Sequence, residues 1–198
     1  MVSRPARALA VWCQHFQGMI DGVEGTDERH DVLTEKTDDH EEQIAKALTT
    51  AQQTAAAAES LTGGHVSAGL SAIEGASDWF VGGVVAYASE VKFDLLGVDP
   101  GPVINAPTAR QMATGVARLL NADFAVATTG VGGPGPQEDR PEGTVFIAVA
   151  TPSDCTAQEY AFSGDPTAVI EQATRQAVRD LAAAVTGSRV PSDQLSTA

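Results

Sequence analysis

Three short segments of the chain bring together residue types that do chemistry in combination. The first is Ala58-Glu59-Ser60-Leu61-Thr62-Gly63-Gly64, where an apolar run ends in a carboxylate and a serine. A Thr-Gly-Gly turn follows, and His65 to Ile73 is amphipathic. That order predicts a strand, a tight turn and a helix N-terminus. A helix start presents free N–H groups and partial positive charge, which suits a phosphate or a developing oxyanion. Ser60 in that place is a nucleophile, a phosphate ligand or a helix cap, and the segment alone leaves all three open. Neighbours on a strand point to opposite faces. Glu59 is therefore expected to bond backbone amides and hold the turn rather than to serve as the base for Ser60. His65 occupies an ordinary helical position and is expected to have no special role.

The second segment holds Tyr87 at the end of a predicted strand and Lys92 in the first turn of the next helix. The positive end of the helix dipole disfavours a cation there. A lysine kept in such a place and partly desolvated has a lowered pKa and can act as a base. A Ser–Lys pair is one of the recurring solutions to acyl transfer, and Tyr87 is placed to relay a proton or orient the lysine. The plainer reading makes Lys92 a surface residue and Tyr87 a core aromatic.

The third segment, Thr128-Thr129-Gly130-Val131-Gly132-Gly133-Pro134-Gly135, lacks the lysine of a P-loop and does not lead directly into an apolar helix. Its glycines permit close backbone approach to a ligand. Gly133 to Pro141 reads as a mobile flap ahead of the next strand.

The elements that must position these residues follow from periodicity and punctuation. Ile44, Ala47, Leu48 and Ala51 recur at helical spacing, with Asp38 or Asp39 as cap. Strands are expected at 54–59, 81–88, 124–129, 143–151 and 155–162, the last two joined by the turn Pro152-Ser153-Asp154. Helices are expected at 65–73, from a Ser89 cap to Leu96 with a stop at Gly97, from Pro107 to about Leu120, and from Pro166 to about Val185. Strands alternating with helices predict an α/β fold: a three-layer α/β/α sandwich around a mixed, mostly parallel sheet. Ligands in such sheets sit beyond the C-terminal ends of the strands, where all three segments fall.

Composition sets the outer limits. A chain of 198 residues with 43% apolar residues fits one soluble domain plus an appendage. A formal net charge of −14 argues against a nucleic-acid partner but not against a small anionic ligand. Cys13 and Cys155 make no disulfide framework or cysteine metal site, and a cytoplasmic setting fits them most simply. The run Ala8-Leu9-Ala10-Val11 is cut short by Gln14, His15 and Gln17, so neither a signal peptide nor a membrane span is expected. Residues 1–38 read as an acidic N-terminal extension with a short helix at Ala6 to Met19, residues 39–187 as the functional domain, and residues 188–198 as a disordered tail. His30, His40 and the carboxylates around them match no metal-ligand spacing.

At these segments the chain resembles the C-terminal domain of the competence/damage-inducible protein CinA, as a stand-alone domain. The resemblance runs through Ala58–Gly64, Gly82–Lys92, Leu95–Val98, Ala127–Pro134, Pro141–Val145 and Phe162–Asp165, in the family's order. Residues 1–38 do not match the other CinA domain, which is associated with ADP-ribose pyrophosphatase activity. The resemblance implies an amidohydrolase of pyridine nucleotide salvage that converts nicotinamide mononucleotide to nicotinate mononucleotide and ammonia. It implies no metal or cofactor, a small-molecule nucleotide substrate, no nucleic-acid or membrane partner, and a homo-oligomer. It maps the nucleophile to Ser60, and base and proton relay to Lys92 and Tyr87. Thr62, Gly63, Gly64, Thr129, Gly130 and Gly132 would hold the oxyanion or phosphate through their backbone. The chain departs from the family where an arginine commonly follows the Phe-Pro-Gly-Asp motif, since Pro166 follows Phe162-Ser163-Gly164-Asp165 here. Ile170 and Glu171 stand where further arginines are frequent, and Gly101-Pro102-Val103-Ile104-Asn105 replaces Gly-Ala-Val-Ser. These departures leave two other readings: a non-catalytic nucleotide- or phosphate-binding protein, or an amidohydrolase for a different carboxamide.

Overall fold

The computed structural model describes residues 39–187. The helix expected at Ala6 to Met19, the acidic extension and the C-terminal tail lie outside the described residues. In chain order the elements are α1 (Asp39–Ala51), β1 (Ala55–Glu59), α2 (His65–Ala72), a 3-10 turn (Ala76–Asp78), β2 (Phe80–Val85), α3 (Ser89–Leu96), α4 (Ala106–Leu120), β3 (Phe124–Gly130), β4 (Thr144–Ala150), β5 (Cys155–Ala161) and α5 (Pro166–Val185).

The five strands form one sheet in the order β2-β1-β3-β4-β5. β1 pairs in parallel with β2 and β3, while β4 is antiparallel to both β3 and β5. β4 therefore runs against the other four. The C-terminal ends of β1, β2 and β3 lie on one edge, with Glu59 level with Val85 on one side and Thr128 on the other.

Every residue of β1, Ala-Ala-Ala-Ala-Glu, is buried. Alanine has weak strand propensity, but a strand covered on both faces is chosen for packing rather than propensity. Ala55 and Ala57 face the cluster built by α1, α2 and α5 with Val126, Val145 and Ile147. Ala56 and Ala58 face the cluster built by α3 and α4 with Ala125, Ala127 and Ala148. The fold is thus the expected three-layer α/β/α sandwich. Small side chains along β1 let both helical layers approach its backbone closely.

Helix starts follow the sequence signals with one correction. Asn105 caps α4 by accepting from the Thr108 amide at 2.8 Å, and Asp165 caps α5 by accepting from the Ala168 amide at 2.9 Å. Ser89 does not cap α3. Ala88, extended at φ −73° and ψ 147°, holds the cap position without a side-chain hydrogen bond, which puts Ser89 inside the first turn. Gly97 ends α3 in the left-handed region at φ 70°, as its sequence position predicts.

Candidate active site

The turn after β1 is organised by Glu59, which is fully buried. Its Oε2 accepts from the Gly64 amide at 2.9 Å, the Val66 amide at 3.0 Å and the Thr62 hydroxyl at 2.8 Å. Its Oε1 accepts from the Ser67 amide at 2.8 Å and the Ser67 hydroxyl at 2.6 Å. The carboxylate therefore sits where the free amides and positive end of α2 point, the arrangement a buried anion needs. Two glycines permit it. Gly64 takes φ 106°, and Gly83 on β2 leaves room for Ser67, whose Oγ would be 2.1 Å from a Cβ placed there.

This fills the place where an external anion was expected. The Gly64 amide goes to Glu59, and the Gly63 amide closes the turn on the Ser60 carbonyl at 3.1 Å. The Thr62 hydroxyl is shared between Glu59 and the Thr128 hydroxyl, both at 2.8 Å. Among the described residues, the amides of Leu61 and Thr62 enter no hydrogen bond. Both residues are buried and immediately follow Ser60. The Ser60 hydroxyl takes no part in the bonds that tie the turn together, and its own amide is anchored to the Thr128 carbonyl at 3.1 Å.

Lys92 is the second fully buried charged side chain at this edge, at 1% exposure. Its Nζ donates to the Ala86 carbonyl at 2.7 Å and the Tyr87 carbonyl at 3.0 Å. The β1–β2 ladder reaches its last bond where the Ala86 amide donates to the Glu59 carbonyl at 2.7 Å. In a continuing parallel ladder the Ala86 carbonyl would accept from residue 61. Lys92 takes that carbonyl instead, so its amine stands where the two strands part, beside the Ser60 turn. Burial lowers the Lys92 pKa from the ordinary lysine value, and the charges of Glu138 and Glu90 oppose that shift. An ammonium has three N–H positions. Two are fixed by carbonyls, leaving one to carry a proton or a lone pair.

Tyr87 lies two residues beyond β2, not at its end, and its side chain is 73% exposed. It reaches Lys92 through its main-chain carbonyl. His65 is exposed, and its ring nitrogen meets the Thr62 carbonyl within the same turn.

The glycine-rich loop contributes mainly architecture. Thr129 donates its hydroxyl to the Val103 carbonyl at 2.8 Å. Gly130 lets β4 approach, since a Cβ there would stand 2.4 Å from the Thr144 carbonyl oxygen. Gly132 lies over the Ser60 turn, where its Cβ would be 3.9 Å from Leu61 Cβ. The stretch read as a flap folds into a small hairpin with Gln137 and Arg140 bonded at 3.1 and 2.8 Å, and Glu138 and Asp139 at positive φ. Glu138 anchors the tip by accepting from the Val103 and Ile104 amides, both at 2.8 Å. Sequence reasoning assigned no role to Glu138, which stands in no recognisable motif, or to Glu142, which lies in the Pro141–Val145 segment but whose amide partner is not readable from it. Cys155 is half-buried at the start of β5, and burial pushes its thiol pKa up, which leaves it protonated and a poor nucleophile.

Residues 37–185 match the CinA C-terminal domain family. The chain belongs to that family. It is 37% identical over 147 residues to the nicotinamide-nucleotide amidohydrolase PncC of Escherichia coli, covering 71% of this chain and 89% of that protein. A CinA-like protein of Frankia casuarinae is 45% identical over 117 residues, covering 57% of this chain and 27% of the relative. Against that relative and a putative competence-damage inducible protein of Desulforamulus reducens, the chain spans only 27% and 35% of the partner's length. Among solved structures, a CinA superfamily protein of Klebsiella pneumoniae aligns with a TM-score of 0.71 at 31% identity, over 75% of this chain and 97% of that one. Among the described residues, no helix is long and apolar enough to cross a membrane.

Proposed function

We propose that this CinA-family domain is an amidohydrolase that removes the carboxamide nitrogen of nicotinamide mononucleotide or a close chemical relative. The observation that carries the reading is the buried Lys92 amine, held by the Ala86 and Tyr87 carbonyls next to the Ser60 turn. The name of the Escherichia coli relative supplies the substrate class.

In this reading neutral Lys92 takes the Ser60 hydroxyl proton at its third position as Oγ attacks the carboxamide carbon. The tetrahedral oxyanion turns to the Leu61 and Thr62 amides, which have no other partner among the described residues. Protonated Lys92 returns its proton to the leaving nitrogen, the C–N bond breaks, and ammonia departs. A water molecule, deprotonated by Lys92, then hydrolyses the ester on Ser60 and regenerates the serine. Tyr87 holds the amine through its carbonyl, and its ring is exposed. Thr62, Gly63, Gly64, Thr129, Gly130 and Gly132 shape the turn and loop around the reacting atoms.

Ammonia release from the purified protein, with nicotinamide mononucleotide and other pyridine carboxamides as substrates, tests the reaction. Ser60→Ala is expected to abolish it. Activity unchanged in that variant removes Ser60 as the nucleophile, and binding without ammonia release identifies a non-catalytic binder.

A further inference from the structure

We propose that Thr128 is a positioning residue that holds the oxyanion amides of Leu61 and Thr62 in place from the central strand β3. The inference rests on the amide-hydrolysis reading above and adds a residue to it.

Thr128 is 1% exposed and stands in register with Glu59 on β1 and Ile147 on β4. Its main chain is therefore pinned from both sides. Its carbonyl accepts from the Ser60 amide at 3.1 Å, where the chain leaves β1. Its hydroxyl meets the Thr62 hydroxyl at 2.8 Å. One residue thus grips the serine turn at two points, at Ser60 through its main chain and at Thr62 through its side chain. The peptide groups between these two grips carry the amides of Leu61 and Thr62, which have no hydrogen-bond partner among the described residues.

The direction of the side-chain bond follows from proton counting. A threonine hydroxyl has one hydrogen. Thr62 gives its hydrogen to Glu59 Oε2 at 2.8 Å, so Thr128 donates to Thr62. The donors run from Thr128 to Thr62 to Glu59, and a hydroxyl that accepts one hydrogen bond donates the next more strongly. Strand alternation sends the neighbouring side chain elsewhere. Thr129 donates its hydroxyl to the Val103 carbonyl at 2.8 Å, in the loop ahead of α4.

Loss of the Thr128 hydroxyl alone leaves the rest of the turn intact. Thr62 still donates to Glu59, the Gly63 amide still closes on the Ser60 carbonyl, and the Ser60 amide still reaches the Thr128 carbonyl. What is lost is the side-chain tie from Thr62 to β3. The two amides are then free to shift relative to Ser60. Oxyanion donors act by being fixed before the charge develops, so their displacement costs rate rather than ground-state binding.

Thr128→Val keeps the branched shape and the carbonyl but not the hydroxyl. With nicotinamide mononucleotide as substrate it is expected to lose about tenfold in kcat while KM changes by less than about twofold. Thr128→Ser restores the donor and is expected to recover most of the wild-type kcat. The main-chain amide NMR signals of Leu61 and Thr62 are expected to move in Thr128→Val and to return in Thr128→Ser. If Thr128→Val does not fold, Thr128→Cys, close in size and only a weak donor, takes its place. A lowered urea midpoint with kcat of the folded protein unchanged overturns the proposal, as does a rise in KM at constant kcat. If the wild type releases no ammonia from any pyridine carboxamide, the hydrolysis reading fails. The amide signals then decide alone, and signals that stay put in Thr128→Val overturn the clamp.

Discussion

Glu59 and Ser67 meet twice at one carboxylate oxygen, the Ser67 amide donating to Oε1 at 2.8 Å and the Ser67 hydroxyl at 2.6 Å. This pair fastens α2 to the end of β1 and thereby fixes the main chain on which Ser60 sits. Glu59→Gln replaces a charged double acceptor with a group that has one acceptor oxygen and an unwanted donor. Buried amides left unpaired cost roughly 1–3 kcal/mol each. The variant is expected to lose about 3 kcal/mol in urea unfolding and to lose activity with it. Ser67→Ala, which removes one of the five bonds to Glu59, is expected to lose about 1 kcal/mol.

Lys92 acts as a base only when neutral, so kcat/KM is expected to rise with pH through a pKa below the ordinary lysine value of 10.5. Lys92→Arg holds a permanent charge in the same place and is expected to lose activity by roughly 10²–10⁴-fold at every pH. Glu138 raises the Lys92 pKa against the effect of burial. Glu138→Gln therefore moves the rising limb of the profile to lower pH. A limb that stays put in Glu138→Gln removes Lys92 as the titrating group.

Tyr87 offers Lys92 its carbonyl, and its side chain is mostly exposed. Tyr87→Phe keeps that carbonyl and is expected to lower kcat by less than about tenfold, below the usual range for losing a general acid or base. A loss of a hundredfold or more, measured by ammonia release, assigns the proton relay to the hydroxyl.

Asp180 on α5 is buried against β5, where Tyr160 donates its hydroxyl to both carboxylate oxygens at 3.1 and 2.9 Å. Burial raises its pKa from 3.8 to about 6, against the hydrogen bonds from Gln176 and Tyr160. Between those values the folded state binds more protons than the unfolded state. The stability from the protonated form is therefore complete below about pH 4 and lost as pH climbs through about 6, up to about 3 kcal/mol at 1.36 kcal/mol per pKa unit. Asp180→Asn is expected to flatten this decline, seen as urea midpoints that change less between about pH 5 and pH 8 than in the wild type.

The elements were legible where sequence periodicity and burial agree. α5 begins at Pro166 and α3 stops at Gly97, because proline and glycine act through backbone conformation that sequence states directly. The reading of Glu59 as the residue that holds the turn follows from strand alternation and is matched by its bonds to three amides. Ser89 was misplaced as a cap because the helix starts one residue earlier than its side chain suggests. The partners of Lys92 are main-chain carbonyls, which any residue at 86 or 87 supplies, so no side-chain pattern announces them. Glu138 and Glu142 reach their amides only through a hairpin with Glu138 and Asp139 at φ 48° and 59°, a conformation that local propensity does not foretell.

The reversed direction of β4 has a consequence for how such a site can change. Because β4 starts where β3 ends, the connection from Val131 to Gly143 leaves and re-enters the sheet on the edge that holds Ser60 and Lys92. Glu138 anchors its tip to the Val103 and Ile104 amides, and Glu142 braces its neck from within by accepting from the Gly135 amide. An exchange of this one connection would give the pocket a new lining and charge while the strands, the serine turn and the lysine stay in register. Selectivity and turnover are in that sense separable parts of the fold, open to independent replacement.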